Sequence, residues 1–162
     1  MNISFEPLSA EYTTEAMDIF NYYIENSFAA FPENKLPYGF FSKILEMAGS
    51  YPALVIKDSN KVAGFCFLRA YSPFPTFKKT AEICYFIDKE YVGKGIGAKA
   101  LELLENQAAQ MGIKNILAEI SSENKVSLAF HRKNGFLECG RFKNAGTKKG
   151  VDFDVVWMEK SI

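Results

Sequence analysis

Apolar and polar positions along this chain switch between a period of two and a period near 3.6, and the switches mark its elements. Residues 2–7 (NISFEP) form a short strand candidate that Pro7 ends. Between residues 11 and 25, Ala16, Ile19, Phe20, Tyr23 and Ile24 fall on one helical face. The next stretch, SFAAFPENKLPYG, holds two prolines and a glycine and reads as a loop. A second, short helix is expected over 40–48, ended by Gly49. Two β-rich runs, 53–57 and 62–68, flank Asp58-Ser59-Asn60-Lys61, a hairpin signal that makes them antiparallel neighbours. The segment YSPFPTFKKT, with Pro73 and Pro75, reads as a loop. Residues 81–88 (AEICYFID) are the most strand-like stretch of the chain. Residues 89–97 are a turn with three glycines. From Ala98 to Met111, Leu101, Leu104, Ala108 and Met111 recur at helical spacing, and Gly112 stops the helix. A strand at 115–120, a helix at 124–133 closed by Asn134-Gly135, and a strand pair at 136–142 and 153–159 complete the order. This is not simple βαβ alternation. It predicts an α+β (mixed α/β) layered fold with a partly antiparallel sheet.

Composition narrows the class. At 162 residues the chain fits one domain, 1–162. Nineteen basic residues balance nineteen acidic ones, so charge alone draws it to no nucleic acid. No apolar run approaches the roughly 20 residues of a membrane span, and the start MNISFEPLSAEY has no secretory pattern. Cys66, Cys84 and Cys139 are an odd number without close spacing. They predict neither a disulfide framework nor a metal site, and a reduced, cytoplasmic setting fits them. Aromatic residues make up 15% of the chain, enough for a ring-rich core and for rings at a small-molecule pocket.

The chemistry concentrates at Gly93-Lys94-Gly95-Ile96-Gly97-Ala98, between the best strand and the best helix. Glycines allow a tight turn and close approach of a bulky anion, and a helix start offers free N–H donors. The string also satisfies the dinucleotide fingerprint G-x-G-x-x-G/A, and Glu119 stands about twenty residues on, as that motif requires. A nucleotide-binding oxidoreductase is therefore one reading. Against it, about ninety residues and a hairpin precede the turn, and too little chain follows for a doubly wound sheet. Alternation along the strand puts Glu82, Cys84 and Phe86 on one face and Ile83, Tyr85 and Ile87 on the other. Glu82 is a carboxylate in an apolar strand, costly without a task or a partner.

The stretch from AEICYFIDKEYVGKGIGAKA to SENKVSLAFHRKNGF resembles the core of the GNAT superfamily of N-acetyltransferases. Its R/Q-x-x-G-x-G/A signature falls on Val92–Gly97, and its N-x-x-(S/A)…GF segment on Asn124, Ser127 and Gly135-Phe136. YYIENSFAAF, SYPALVIKD and DVVWMEK extend the resemblance to the phosphinothricin and methionine sulfoximine acetyltransferase branch. The resemblance implies a three-layer fold, with a mostly antiparallel sheet of about seven strands and helices on both faces. It implies acetyl-CoA as acyl donor, a small-molecule amine as acceptor, direct transfer in a ternary complex, and a homodimer. By the same resemblance Glu82 is the base and His131 the donor to the leaving thiolate. Tyr85, Phe86 and Ile87 pair with the pantetheine arm, Gly93, Lys94, Gly95, Ile96, Gly97 and Ala98 hold the pyrophosphate, and Asn124 contacts the cofactor. Phe28, Phe31, Phe74, Pro75 and Thr76 are the expected lining of the amine pocket. The chain departs from the pattern at Val92, where the signature has Arg or Gln. It departs again at Phe74, where the branch has an arginine suited to an anionic substrate. A non-catalytic acyl-CoA sensor remains an open alternative.

Overall fold

The computed structural model describes residues 1–162. In chain order the elements are β1 (Ile3–Pro7), α1 (Thr13–Asn26), α2 (Phe41–Ala48), β2 (Ala53–Asp58), β3 (Lys61–Ala70) and β4 (Thr80–Ile87). They continue with α3 (Ile96–Gln110), β5 (Asn115–Ser121), α4 (Lys125–Lys133), β6 (Leu137–Lys148) and β7 (Val151–Ser161). The seven strands form one sheet in the order β1-β2-β3-β4-β5-β7-β6, and every adjacent pair is antiparallel except β4 with β5. This is the expected mixed α/β class.

The two faces of the sheet carry separate cores. On one, α1 and α2 bury Met17, Phe20, Ile24, Phe41 and Ile44 against Phe65 and Phe67 of β3. On the other, Leu101, Leu104 and Ala108 of α3 and Leu128 of α4 pack against Ile56, Leu68, Ile116 and Met158. Each such side chain taken from water contributes about 1.5–3 kcal/mol, which is what holds helix to sheet. The alternation in β4 is as expected. Cys84 and Phe86 pack with the α1–α2 core, and Ile83, Tyr85 and Ile87 with the α3 core.

The pairing of β4 with β5 is short. Thr80, Ala81 and Glu82 register with Asn115, Ile116 and Leu117, and nothing beyond. Past that point β4 stays with β3 as far as Ile87, and β5 stays with β7 as far as Ser121. Each strand follows its outer neighbour, and a gap opens between them. Asp88 N–H donates to Ala63 O at 2.8 Å. Strand alternation then aims the peptide groups of Phe86 at β3 and those of Tyr85 and Ile87 into the gap.

Two boundaries differ from the sequence reading. α3 begins at Ile96, two residues early, because Gly95 takes φ +80° and caps it. The last two strands run to 12 and 11 residues and meet at a two-residue turn, where Lys149 and Gly150 both have positive φ. Almost every residue of β6 is exposed, so no burial alternation marks its continuation past Phe142 to Lys148.

Candidate active site

A cavity of about 800 Å³ opens where β4 and β5 part, large enough for a cofactor arm and a small molecule. Its walls come from β4, β5, α1, the loop after α1 and the glycine turn, and most are apolar. A second cavity, of about 370 Å³, lies between α1 and the loop before α2. Its charges are internally matched, Lys35 with Glu25 at 3.3 Å and Asp18 with the Tyr38 hydroxyl at 2.7 Å.

The glycine turn forms one end of the larger cavity. Asp88 accepts from Glu90 N–H at 2.9 Å and starts a single helical turn over Lys89–Tyr91. Gly93 and Gly95 then both adopt φ +80°, and a Cβ on either would meet nothing within 4 Å. Glycine is needed there for the left-handed backbone, and the turn is open. The first bond of α3 runs from Lys99 N–H to Gly95 O at 3.2 Å. The amides before it have no intrahelical acceptor and carry the positive end of the helix dipole. Gly97 is glycine for space, since a Cβ would stand 3.3 Å from the Phe130 ring. Asn124 caps α4, accepting from Ser127 N–H at 3.2 Å, and borders the same end. The donor set, open backbone and vacant peptide edge of β4 fit a phosphorylated, amide-bearing cofactor.

Glu82 lies at the far end of β4, roughly 17 Å from Ile87 at the usual strand rise. Glu82 is buried. Its Oε2 accepts from Arg69 Nε at 2.8 Å and from Nη2 at 2.5 Å, while Arg69 Nη1 touches Met47 Sδ. Glu119 of β5 lines the same end. Burial, then the charge of Glu82, pushes its carboxyl above the ordinary range, against the pull of Arg69. Cys84, beside them, is raised to about 11 by burial, so its thiol stays protonated.

The shared wall of α4 holds His131, which is 2% exposed. Its Nδ1 donates to Ser127 O at 2.7 Å, which leaves Nε2 to accept from the Tyr85 hydroxyl. Burial lowers His131 to about 4, so it is neutral at pH 7. The imidazole lies where expected, in its neutral form, with both ring nitrogens engaged. Burial also raises the Tyr85 hydroxyl well above its usual range.

The profile of the acetyltransferase (GNAT) family matches residues 16–136. The chain belongs to this family. It is 31% identical over 109 residues to the L-amino acid N-acyltransferase MnaT of Escherichia coli K12, a match covering 67% of this chain and 63% of that one. The chain thus matches somewhat less than two thirds of the length of such relatives. Among solved structures, a ribosomal-protein-alanine N-acetyltransferase from Brucella melitensis superposes with TM-score 0.90 at 27% identity, over 98% of this chain and 99% of that one. A phosphinothricin acetyltransferase from Sinorhizobium meliloti, in complex with AcCoA, has the same fold, with TM-score 0.92 at 24% identity over 100% and 89%.

Within this GNAT fold, most of the expected positions converge on the cavity. Glu82, Tyr85, Phe86, Ile87, Gly93, Gly95, Gly97, Ala98, Asn124, His131 and Phe31 all border it. Others do not. Ile96 is buried in the α3 core. Lys94 turns outwards over the Tyr91 ring. Phe28 packs edge-on against Phe153 and lies behind the wall. Phe74, Pro75 and Thr76 are exposed and outside the cavity. Their segment is held by its own contact, Tyr71 against Phe77 at 5.5 Å. Three side chains at the cavity were missed, Arg69, Met47 and Tyr23, whose hydroxyl donates to Ile87 O at the edge of the gap, and Glu119 was singled out only for the dinucleotide reading. Lys148, almost wholly buried, was missed too. Its ammonium donates to Ser27 O and Ala30 O, at 2.8 and 2.6 Å, and so braces the wall after α1 from the β6–β7 turn. Contacts between elements distant in the sequence reveal these, and no local spacing encodes them.

Proposed function

We propose that this chain is an acetyl-CoA-dependent N-acetyltransferase acting on the primary amine of a small molecule, an amino-acid analogue being the leading class. The observation that carries this is the parted β4–β5 pair. Its edge, unpaired past Glu82 except where the Tyr23 hydroxyl donates to Ile87 O, runs from an open glycine turn to a carboxylate end. An acyl-CoA supplies an acetyl group already activated as a thioester. The residues of this chain do the rest. The amides of Gly93–Ala98 receive the pyrophosphate, and the gap-facing peptide groups of Tyr85 and Ile87 pair with the amide arm as an added strand would. An alkylammonium titrates near 10.4, so about one molecule in a thousand is free amine at pH 7. A proton acceptor is needed, and the carboxylates Glu82 and Glu119 stand at that end. The protonated thiols of Cys66 and Cys84, raised to about 12 and 11 by burial, favour direct transfer over an acetyl-cysteine route. Tyr85 and the neutral His131 form a fixed hydroxyl–imidazole pair beside the thioester's path.

The dinucleotide reading fares worse. β4, α3 and β5 do form a local βαβ unit, which is why the fingerprint matches. Every other pairing is antiparallel, however, and Glu119 lies only two residues past Leu117, which registers with Glu82 at the end of β4 away from the turn. We further propose a single domain, a cytoplasmic setting and pairing with a second copy. The exposed Leu137 and Phe142 of β6 support the last, which sedimentation tests.

The test is the heat of acetyl-CoA binding, beside CoA and reduced nicotinamide dinucleotide, followed by thiol release with a panel of small amines. Micromolar acetyl-CoA binding is expected, lost in Gly95→Val, whose β-branched side chain cannot hold φ +80° cheaply. No binding would refute the reading. Binding without turnover of any amine would leave the sensor alternative standing.

A further inference from the structure

Glu82 was the acidic residue that the sequence singled out, yet it is the less available of the two carboxylates in the cavity. Its Oε2 takes two N–H bonds from Arg69, so its charge is already compensated. The strand register brings in the second. Glu82 registers with Leu117 on β5, and Glu119, two residues on, points to the same face of the sheet across the gap from Cys84. Glu119 makes no hydrogen bond or ion pair with any side chain and is open to the cavity. The charged groups facing it are Glu82 from β4 and Arg69 from β3. Of its neighbours on the same face, Leu117 and Ser121 of β5 and Trp157 of β7 carry none, and Glu159 of β7, opposite Leu117, is exposed and lies outside the cavity. Three charges therefore meet in a mostly apolar cavity and leave one negative charge over, on Glu119.

Resting on the acetyl-transfer reading above, we propose that Glu119 is a second catalytic carboxylate. It receives the acceptor's ammonium and takes its proton, while the Arg69–Glu82 pair positions that end of the site. One N–H bond of the ammonium breaks, an O–H bond forms on the Glu119 carboxylate, and the freed lone pair stays on nitrogen. The proton later passes from Glu119 to water. Burial beside Glu82 raises the Glu119 carboxyl, which brings its basicity nearer to working pH. The site accordingly favours acceptors that enter as ammonium ions.

E119Q and E82Q test this by thiol release across pH 6–10, with acetyl-CoA binding measured by calorimetry on each. Glu119 is surface-accessible, so E119Q should fold and bind acetyl-CoA as the unsubstituted chain does. Its kcat/KM at pH 7 should fall about 100-fold, within the usual range for loss of a general base. Its kcat/KM should then climb tenfold per pH unit towards the amine's own titration. E82Q should lose activity without acquiring that slope. A readout independent of turnover is carboxyl-carbon NMR of glutamate-labelled protein. The resonance lost in E119Q should titrate above those of the exposed glutamates and shift when the amine is added. The proposal is overturned if E119Q keeps kcat/KM within threefold with an unchanged pH profile, or if that resonance titrates with the exposed set. If the unsubstituted chain turns over amines and E119Q does so within threefold, only the assignment of Glu119 fails. If the unsubstituted chain neither binds acetyl-CoA nor releases thiol, the acetyl-transfer reading fails and this proposal falls with it.

Discussion

Gly64→Ala tests whether the geometry of the gap depends on how closely β3 holds β4. Gly64 sits mid-strand, registered with Ile56 on β2 and Ile87 on β4. A Cβ there would lie 2.7 Å from Phe86 O and 3.0 Å from Ile87 Cα, both backbone atoms. Ordinary contact begins near 3.4 Å, so roughly 0.7 Å must be found by moving a strand that is fixed on both sides. Overpacking of this kind costs about 1–3 kcal/mol. Replacing glycine also stiffens the unfolded chain, which offsets about 0.4–1 kcal/mol. The clash wins, by about 1–2 kcal/mol. For a chain of this length each kcal/mol lowers the melting midpoint by about 2–4 °C, so Gly64→Ala should melt about 2–8 °C below the unsubstituted protein. Because the displaced atoms belong to the strand that lines the gap, acetyl-CoA affinity should fall too. Gly140→Ala on β6 is the control, with an ordinary φ and nothing within 4 Å of the added methyl. Thermal unfolding and calorimetry on the three proteins suffice. A Gly64→Ala midpoint no lower than that of Gly140→Ala would refute the reasoning, since the close approach would then cost nothing.

Two further expectations concern buried titratable groups. His131 falls from 6.5 to about 4 on folding, so the unfolded chain binds the extra proton between those values. Its stabilisation is complete above pH 6.5 and is lost as pH drops towards 4, about 3 kcal/mol at 1.4 kcal/mol per tenfold. Melting midpoints should therefore fall from pH 7 to pH 4.5, and more shallowly in His131→Asn. Burial likewise pushes the Lys148 ammonium below its ordinary 10.5, with Lys149 adding to the effect. Its share of stability is lost as pH falls below 10.5. Lys148→Met should therefore gain on the unsubstituted protein as pH drops from 10.5 to 8. The same change should speed amide exchange in residues 27–32, which Lys148 braces.

What the sequence made legible was whatever a local pattern could carry. Ala81–Asp88 announced β4 by alternation, and the spacing of Ala16 to Ile24 announced α1. Gly93, Gly95 and Gly97 announced the turn because positive φ and crowding both select glycine. Glu82 stood out as a carboxylate among apolar neighbours. Its partner Arg69 did not, because the ion pair follows from the β3–β4 register. Glu119 read as a ribose ligand in the dinucleotide fingerprint. Its true neighbours are set by the parallel register of β4 with β5. His131 was found by position, but its neutrality comes from burial and from Tyr85, 46 residues away. Phe74–Thr76 failed for the opposite reason. The resemblance put this segment at the pocket wall, yet here Tyr71 and Phe77 fold it onto itself.

The short β4–β5 pairing also divides the molecule as a folding object. Strands β1 to β4 form a meander of sequence neighbours, and β5, β7 and β6 form a second antiparallel set, joined to the first within the sheet by three registered residue pairs. The core under α3 spans this seam, whereas the core under α1 and α2 draws on residues 16–67 and stops short of it. The seam is thus the natural place for the native state to breathe, one half of the sheet opening against the other before either unfolds. A molecule lying along the gap touches both halves and works as a weld. At a hundredfold excess over its dissociation constant it adds about 2.7 kcal/mol to the unfolding free energy. That gain should be concentrated at the seam, where local opening is otherwise easiest.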